Sequence, residues 1–481
     1  MCLPPAVRRP HCLLALLVVS VFLPLPALSQ TPAAVGPSPQ FSPTRPVILM
    51  NRWQENWSVL ASPEVSPAPW DSLKYIPLSS QDAQSYISLG ITARERFETN
   101  DAPQFGVGNK NDGSSYLIQR LQLHADIRPD ENWQIFLQLE DARAFWKTSI
   151  TPVDQNPLDV EQAFVAYVHP IGSGLLKLRV GRQEMGFDLQ RFISVRNGPN
   201  VRQAFDAIWG DWEWSQSRVI SFWSQPVQYR DIGAFDDVAN HHLQFGMFRI
   251  EDNKLGPGAL SGYVAMYLRS NVNYLGASGN EQRNILDVRY SGAVDNVDWD
   301  VEAMGQTGLV GTSKVQAWAL GTIVGYTASE VPWSPRFGLQ VDLASGDHHP
   351  GDGFVQTFNP LFPNGYYFTL AGYTSYANLI NVKPSVTVKP FTSISLEGAI
   401  GLQWRETVED AIYTQPNVPV PGTAGEGASW TGVYFQARAD WRISSNLSGA
   451  IEAVHFQAGN AIGRAGGHNA EYCGVELDYG W

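Results

Sequence analysis

Cysteine is nearly missing from this 481-residue chain: there are three, two of them within the first 12 positions. A disulfide framework is thereby excluded. Charge is scarce too, at 16% of residues, and it leans acidic, with a formal net charge of −13. That balance excludes a nucleic-acid binder, which needs a basic surface. Lysine is rarer still, eight of 33 basic residues, so arginine outnumbers it about three to one. Past the first 30 positions no stretch approaches 18 consecutive apolar residues, which excludes helical membrane spans. A β-barrel survives this test, because its strands hide hydrophobicity in alternation.

What is present points two ways. A mean hydropathy of −0.18 reads as soluble, whereas 12% aromatic residues with so little charge is unusual for a large soluble protein. The length and apolar content supply a large core, so disorder is excluded.

The N-terminus indicates the compartment. Arg8 and Arg9 precede an apolar run from Cys12 to Leu23, and Ala27-Leu28-Ser29 stands before Gln30. A basic start, a short apolar stretch and small residues at −3 and −1 make residues 1–29 a secretory signal peptide. The run is too short for an anchor, and Pro24 and Pro26 break it. Its removal takes Cys2 and Cys12, leaves Cys473 as the last cysteine, and deepens the charge to −15. An exported chain without a disulfide suits a bacterial envelope. Residues 30–84 are rich in Pro, Ser and Ala and read as an extended periplasmic segment without a core. Within it, Trp53 and Trp57 stand four apart and are expected to dock against something.

From about residue 85 the hydrophobic period becomes two. Ile87, Leu89, Ile91, Ala93 and Phe97 share one face of the first strand, with Ser88, Thr92, Arg94, Arg96 and Glu98 on the other. The same alternation runs through Leu121–Arg128, Asp298–Gln306, Phe337–Ala344 and Val433–Arg442. Eighteen such segments are expected: 85–98, 114–128, 132–145, 159–169, 174–183, 203–214, 217–228, 239–251, 259–270, 281–294, 296–309, 313–328, 334–346, 377–390, 391–407, 430–444, 446–458 and 470–481. A soluble sandwich or propeller also alternates. Here, however, one face carries the charges while the other is almost free of them, and aromatics gather at strand ends (Phe145-Trp146, Trp209 to Trp214, Trp404, Trp441), where a membrane barrel places its girdles. Glu95 breaks the pattern and must lie near a rim, unless the register is shifted. Short links such as 129–132 alternate with long ones at 184–202, 347–376 and 408–429, as in an outer-membrane barrel. Cys473, Val475, Leu477, Tyr479 and Trp481 alternate to a final aromatic, which resembles the insertion signal read by the outer-membrane assembly machinery.

Three stretches carry a resemblance. The first is Asn51-Arg52-Trp53-Gln54-Glu55 with Leu73-Lys74-Tyr75-Ile76-Pro77-Leu78, leading to Arg94-Glu95-Arg96. The second is Leu178-Arg179-Val180-Gly181-Arg182-Gln183-Glu184, followed by Arg191, Arg196-Asn197 and Arg202-Gln203-Ala204-Phe205-Asp206. The third is Ala344-Ser345-Gly346-Asp347, then Gly351-Asp352-Gly353 and Thr357-Phe358-Asn359-Pro360-Leu361-Phe362-Pro363. Together they resemble the alginate-export family of outer-membrane porins. The resemblance implies an all-β transmembrane barrel of about 18 strands over residues 85–481, moving an anionic polysaccharide or smaller anions across the bacterial outer membrane.

The chemistry of the residues agrees in part. Guanidinium groups bind carboxylates through two parallel hydrogen bonds and stay charged. Arg94, Arg96, Arg120, Arg179, Arg182, Arg191, Arg196 and Arg202 cluster early in the barrel and, as neighbours in strand order, line one side of the lumen. They are either an anion track or a structural ladder with acids such as Glu98, Asp126, Glu140 and Asp206. Residues 85–205 hold 13 basic and 14 acidic groups, so any selectivity comes from arrangement. His124 and Asp126, between Arg120 and Arg128, read as a lumen ion network. Asp347-His348-His349 with Asp352 offers ligand types for a metal, but adjacent loop histidines are more often solvated, and no metal or cofactor is expected. His241-His242 points its rings to opposite faces. No Gly-x-Ser-x-Gly elbow appears, and Glu476 with Asp478 need no catalytic role, so no enzyme is expected. A closed barrel serving as receptor, adhesin or envelope enzyme is the alternative.

Overall fold

The computed structural model describes residues 45–108 and 113–481; the expected leader lies outside them. Eighteen long strands follow in order: β1 Tyr86–Asn100, β2 Ser114–Arg128, β3 Trp133–Phe145, β4 Asn156–Ile171, β5 Gly174–Glu184 and β6 Ala204–Trp214. Next come β7 Ser217–Gln228, β8 Leu243–Leu255, β9 Gly258–Tyr274, β10 Ala277–Val294, β11 Val297–Val310 and β12 Ser313–Thr327. The last six are β13 Arg336–Ala344, β14 Leu379–Phe391, β15 Ile394–Trp404, β16 Trp430–Arg442, β17 Leu447–Ala458 and β18 Ala470–Gly480. Each pairs antiparallel with its neighbours in sequence, and β1 pairs with β18 from Thr92↔Gly480 to Asn100↔Tyr472. The sheet is therefore a closed barrel without edges, as the periodicity predicts.

Burial runs opposite to that of a soluble protein. Arg94 and Arg96 are 1% and 2% exposed, while Val264, Leu286 and Ile451 are 53%, 60% and 58% exposed. Charged residues face inward and aliphatic residues outward because only a lipid solvent rewards that arrangement. Register follows from the alternation, since a slip of one residue would turn every arginine to the outside. Glu95 is in register. On the outer face it pairs across the strands with Gln119, whose amide donates to it, and Gln119 in turn opposes Arg143, which binds Asp141 at 2.6 Å. These groups form a polar row toward the long-loop ends of β1–β3.

Two details depart from expectation. Trp209 does not join an outer girdle: it turns inward, 7% exposed, and stacks on Phe222 at 5.3 Å, while Trp212, three positions further on and so on the opposite face, stays 43% exposed. The alternation of short and long connections also fails at β9–β12. The links at 275–276 and 311–312 are two-residue turns on the long-loop side, and the eight-residue link 328–335 lies on the other. Hence β10 starts at Ala277 rather than near 281.

The segment before β1 enters the short-turn mouth of the barrel. Arg52 donates to the Ile91 carbonyl (3.1 Å), the Thr92 hydroxyl (3.0 Å) and the Trp481 carbonyl (2.8 Å), and pairs with Glu55 at 2.7 Å. Trp53 packs edge-on to Phe164 at 6.0 Å. Lys74 is inserted between the rings of Trp57 and Trp481, 5.0 and 4.4 Å from their centroids, and Gly90 makes room: a Cβ there would lie 2.7 Å from the Lys74 nitrogen. The ring faces favour the ammonium form. Burial, helped by the charge of Arg52, nevertheless holds the Lys74 pKa down to about 7. A lysine lowered in the docked state and ordinary in the undocked one releases its proton on docking, so docking strengthens as pH rises from about 7 toward the ordinary value near 10.5. Chymotrypsin cleavage of segment 45–84, normalised to protease activity, is expected to slow between pH 6 and pH 8 in the wild type and to be flat in Lys74→Met. Parallel pH profiles would discard this account.

Candidate functional site

The lumen is not empty. Loop 185–203, between β5 and β6, and loop 345–378, between β13 and β14, fold inward and meet. Phe362 N–H donates to the Phe192 carbonyl and Ser194 N–H to the Phe362 carbonyl, both at 2.9 Å. Around this junction Phe192, Phe358, Phe362 and Tyr376 pack against wall residues Phe205, Phe245 and Tyr267, giving the barrel an internal apolar core. The loops are thus held by burial of ring surface as well as by polar contacts.

Most of the arginines singled out from sequence are anchors for these loops or for the wall. Arg94 donates to the carbonyls of Asn197 (2.5 Å) and Gly198 (2.9 Å) and pairs with Glu476 at 3.2 Å. Arg120 reaches the Asn197 side chain at 2.7 Å and the Asn200 carbonyl at 3.3 Å. Gly198 is needed for close approach, since a Cβ would lie 2.5 Å from the Tyr366 ring, whose hydroxyl donates to the Gly198 carbonyl. Arg191 spans to the opposite wall, binding Asp300 (2.6 Å) and Glu302 (2.7 Å) on β11 and the Tyr367 hydroxyl (2.6 Å). Arg202 pairs with Glu184 at 2.5 Å.

Three others belong to the wall. Arg96 is enclosed by Glu98 (2.5 Å), Glu452 (2.5 Å), Glu476 (2.9 Å) and the Tyr472 hydroxyl. Arg179 lies among the rings of Trp53, Phe164 and Trp209 at 4.4, 5.1 and 5.2 Å, which explains the docking of Trp53. Arg182 pairs with Asp206 at 2.9 Å. Charges so buried cost several kcal/mol each to desolvate unless paired, so the ladder arrangement is what the burial of Arg96 requires. Arg179 has no carboxylate partner and is held by ring faces instead.

Arg196 differs from these arginines in lining a cavity, although its own side chain is largely enclosed. Its backbone is left-handed (φ 52°), its Nη1 donates to Gln203 at 3.0 Å, and its Nε has no partner. It lines a cavity of about 840 Å³ at the long-loop end, with Arg269 and Tyr267 on β9, Tyr229, Asn240 and Asn359, and closed in part by residues of loop 405–429. No Asp or Glu lines this cavity, so its charged groups are two guanidiniums. Burial draws the Arg196 pKa below its usual value, with only the hydroxyls of Tyr229 and Tyr267 opposing; an arginine remains charged even so. Glu281, directly across from Arg269 in the β9–β10 register, is committed to Arg283 at 2.5 Å. The sequence reading missed Arg269. The signal was available: Tyr267 and Arg269 share the inward parity of β9.

Other candidates resolve simply. His124 is buried and stacked on Phe136 at 5.6 Å, and Asp126 binds Arg128 (3.0 Å) and Gln134 (2.8 Å). His348 contacts Glu406 at 3.1 Å, and Asp347 accepts from the His349 backbone. Among the described residues, Asp347, His348, His349 and Asp352 do not bring three ligand atoms together, whereas Asp159, Asp236 and Asp237 place one carboxylate oxygen each within 4.8 Å of the others.

Comparison with known proteins adds the following. The family model described as Alginate export matches residues 85–476. No curated protein matches the chain. Solved structures with a similar fold include Acinetobacter baumannii OccAB1 (11% identity, 85% of this chain and 99% of that one, TM-score 0.56). The Pseudomonas aeruginosa outer membrane protein OpdK is similar at 8% identity, over 82% of this chain and 98% of that one, TM-score 0.54. P. aeruginosa OccK2 in complex with glucuronate is similar at 10% identity, over 82% and 96%, TM-score 0.52.

Proposed function

Because the chain belongs to the alginate-export family and is a channel-type barrel of the bacterial outer membrane, we propose that it passes small carboxylated solutes, uronates among them, by way of the two-arginine cavity. The observation that carries this reading is the absence of any carboxylate among the cavity's lining residues, in a chain whose acids outnumber its bases. Fixed positive charge without a protein counter-ion attracts anions, and a planar guanidinium recognises a carboxylate through two hydrogen bonds. The asparagine and tyrosine groups beside Arg196 and Arg269 supply donors and acceptors for hydroxyls. Glucuronate bound by the structurally similar OccK2 is a precedent for the ligand class.

Size favours small solutes over polymer in this arrangement, since loops 185–203 and 345–378 stand across the lumen. The role is passage without catalysis, which suits a lumen whose acids and bases are largely consumed by one another. In this reading the long loops face outward and the segment 45–84 faces the periplasm, with the last strand serving the assembly machinery as its insertion signal. Ion current through single barrels in a planar bilayer is expected to fall in a saturable manner as glucuronate is added, and much less so with neutral glucose. Arg196→Gln is expected to weaken the glucuronate effect about tenfold, the worth of one charge-assisted hydrogen-bond pair. Equal block by glucose and glucuronate would overturn the proposal.

A further inference from the structure

Loop 229–242, between β7 and β8, forms part of the cavity wall through Tyr229 and Asn240. It is fastened to β4 at one place. Phe235 N–H donates to the Leu158 carbonyl and Asp237 N–H to the Asp159 carboxylate, both at 3.0 Å. Here Asp159, Asp236 and Asp237 converge, with one carboxylate oxygen from each lying within 4.8 Å of the others. One guanidinium answers all three: Arg182 stands 3.9 Å from Asp159 and is already committed to Asp206 at 2.9 Å. Negative charge is therefore in excess, although backbone amides of Val160, Arg230 and Gly233 each contribute a hydrogen bond.

A second observation is independent of the carboxylates. Asn156 is 1% exposed, and its amide is aimed at the cluster, donating to Asp237 Oδ2 at 2.7 Å. Its carbonyl oxygen has no partner, and neither has Asp236 Oδ1, which is shielded from water. A buried oxygen without a donor costs about 1–3 kcal/mol. Rotating the Asn156 amide half a turn presents that oxygen where its nitrogen now lies, beside Asp237.

We propose that Asp159, Asp236 and Asp237, with the Asn156 carbonyl, form a divalent-cation site, that the ion is Ca²⁺, and that its binding pins loop 229–242 to the barrel wall beside the cavity. An ion with bonds of about 2.3–2.6 Å bridges oxygens separated by up to roughly twice that, so one Ca²⁺ reaches all three carboxylates. The donors are all oxygen, which suits a hard cation. One side of the site is a surface loop rather than a strand of the barrel wall, which suits the looser coordination of Ca²⁺ better than the strict octahedron of Mg²⁺. The charge balance improves from three carboxylates sharing one guanidinium to three carboxylates sharing a guanidinium and a dication.

The test uses the folded full-length barrel in detergent, stripped with EDTA and titrated with CaCl₂ by calorimetry. One saturable Ca²⁺ per barrel is expected. Asp236→Asn, in an exposed loop, is expected to weaken binding at least tenfold, and Asp237→Asn likewise, whereas Asp352→Asn in a different loop leaves it unchanged. Trypsin cleavage after Arg230 is expected to slow when Ca²⁺ is added to the wild type and not when it is added to Asp236→Asn. Absence of saturable binding at millimolar Ca²⁺, or identical binding and protection in the two aspartate variants and the wild type, would refute the site. These readouts do not depend on which solute the channel carries.

Discussion

Replacing both cavity guanidiniums by carboxylates, in Arg196→Glu/Arg269→Glu, is expected to turn the proposed anion preference of the pore into a cation preference. The charged lining of the cavity changes from two positive groups to two negative ones. A unit charge about 6 Å away in water contributes about 0.7 kcal/mol to a monovalent ion. Four units of change, reduced by screening at 0.1 M salt, leave on the order of 2 kcal/mol. That is roughly thirty-fold against the anion and thirty-fold in favour of the cation, on the order of a thousand-fold in their permeability ratio, since 1.4 kcal/mol is a factor of ten. Reversal potentials in asymmetric KCl read it directly: the sign is expected to invert. The neutral double variant with glutamines should fall midway. An unchanged reversal potential in the charge-reversed barrel would show that selectivity is set deeper in the lumen and would remove the cavity from the transport path.

The second large effect concerns loop 185–203. Replacing residues 188–200 by a short Gly-Ser link is expected to raise single-channel conductance several-fold. An 18-stranded barrel is wide enough to leave an aqueous channel unless something fills it. Here the filling is this loop and its partner 345–378, joined through Phe192 and Phe362. Deletion also releases Asp300 and Glu302 from Arg191. Asp300 keeps Arg289, whereas Glu302 is left without a guanidinium. Arg191 and Arg196 go with the loop, so the enlarged pore is expected to lose anion preference as it gains conductance. A milder change, Arg94→Ala with Arg120→Ala, removes the wall's grip on Asn197, Gly198 and Asn200 and is expected to produce flickering between conductance levels. If conductance stays at the wild-type level after loop replacement, the loop does not obstruct the path.

The two experiments separate the chemistry of the entrance from the width of the passage. A selectivity change without a conductance change belongs to the cavity; a conductance gain accompanied by lost selectivity belongs to the loop, whose replacement also removes Arg191 and Arg196.

Legibility from sequence followed the range of the interactions involved. The barrel was readable because its organising signal is local: period-two alternation within each strand, repeated eighteen times, needs no knowledge of the neighbours. Glu95 was readable as an exception for the same reason, and its polar neighbours Gln119 and Arg143 lie on adjacent strands. The inward orientation of Arg94, Arg96, Arg120 and Arg179 followed from parity alone. Arg182, three positions beyond Arg179, has the outward parity of Leu178 and Val180 and pairs there with Asp206, a correction to its expected place in the lumen. The roles of the inward arginines did not follow from parity. Arg96 meets Glu476 across 380 positions and Glu452 across 356, contacts created only when β1 closes against β18. Trp209 illustrates the limit of composition: as one aromatic among several at a strand end it resembled a girdle residue, and only the inward parity of Ala207 and Trp209 beside Phe222 places it in the lumen.

Loops were the least readable part, because a loop's path is decided by what it meets. Nothing in residues 185–203 states that they fold inward; that follows from Phe192 and Phe362 burying ring surface together and from carbonyls of Asn197 and Gly198 satisfying Arg94. The same holds for Asp159, Asp236 and Asp237, which are brought together by the docking of one loop on one strand. The sequence by itself determined an exported, disulfide-poor chain whose alternation closes into a membrane barrel with its charges inside, since each of those properties rests on composition or on neighbours two residues apart. Only the tertiary structure decided which arginines are anchors and that Arg196 lines a cavity, because a buried charge is defined by partners that closure brings from hundreds of residues away.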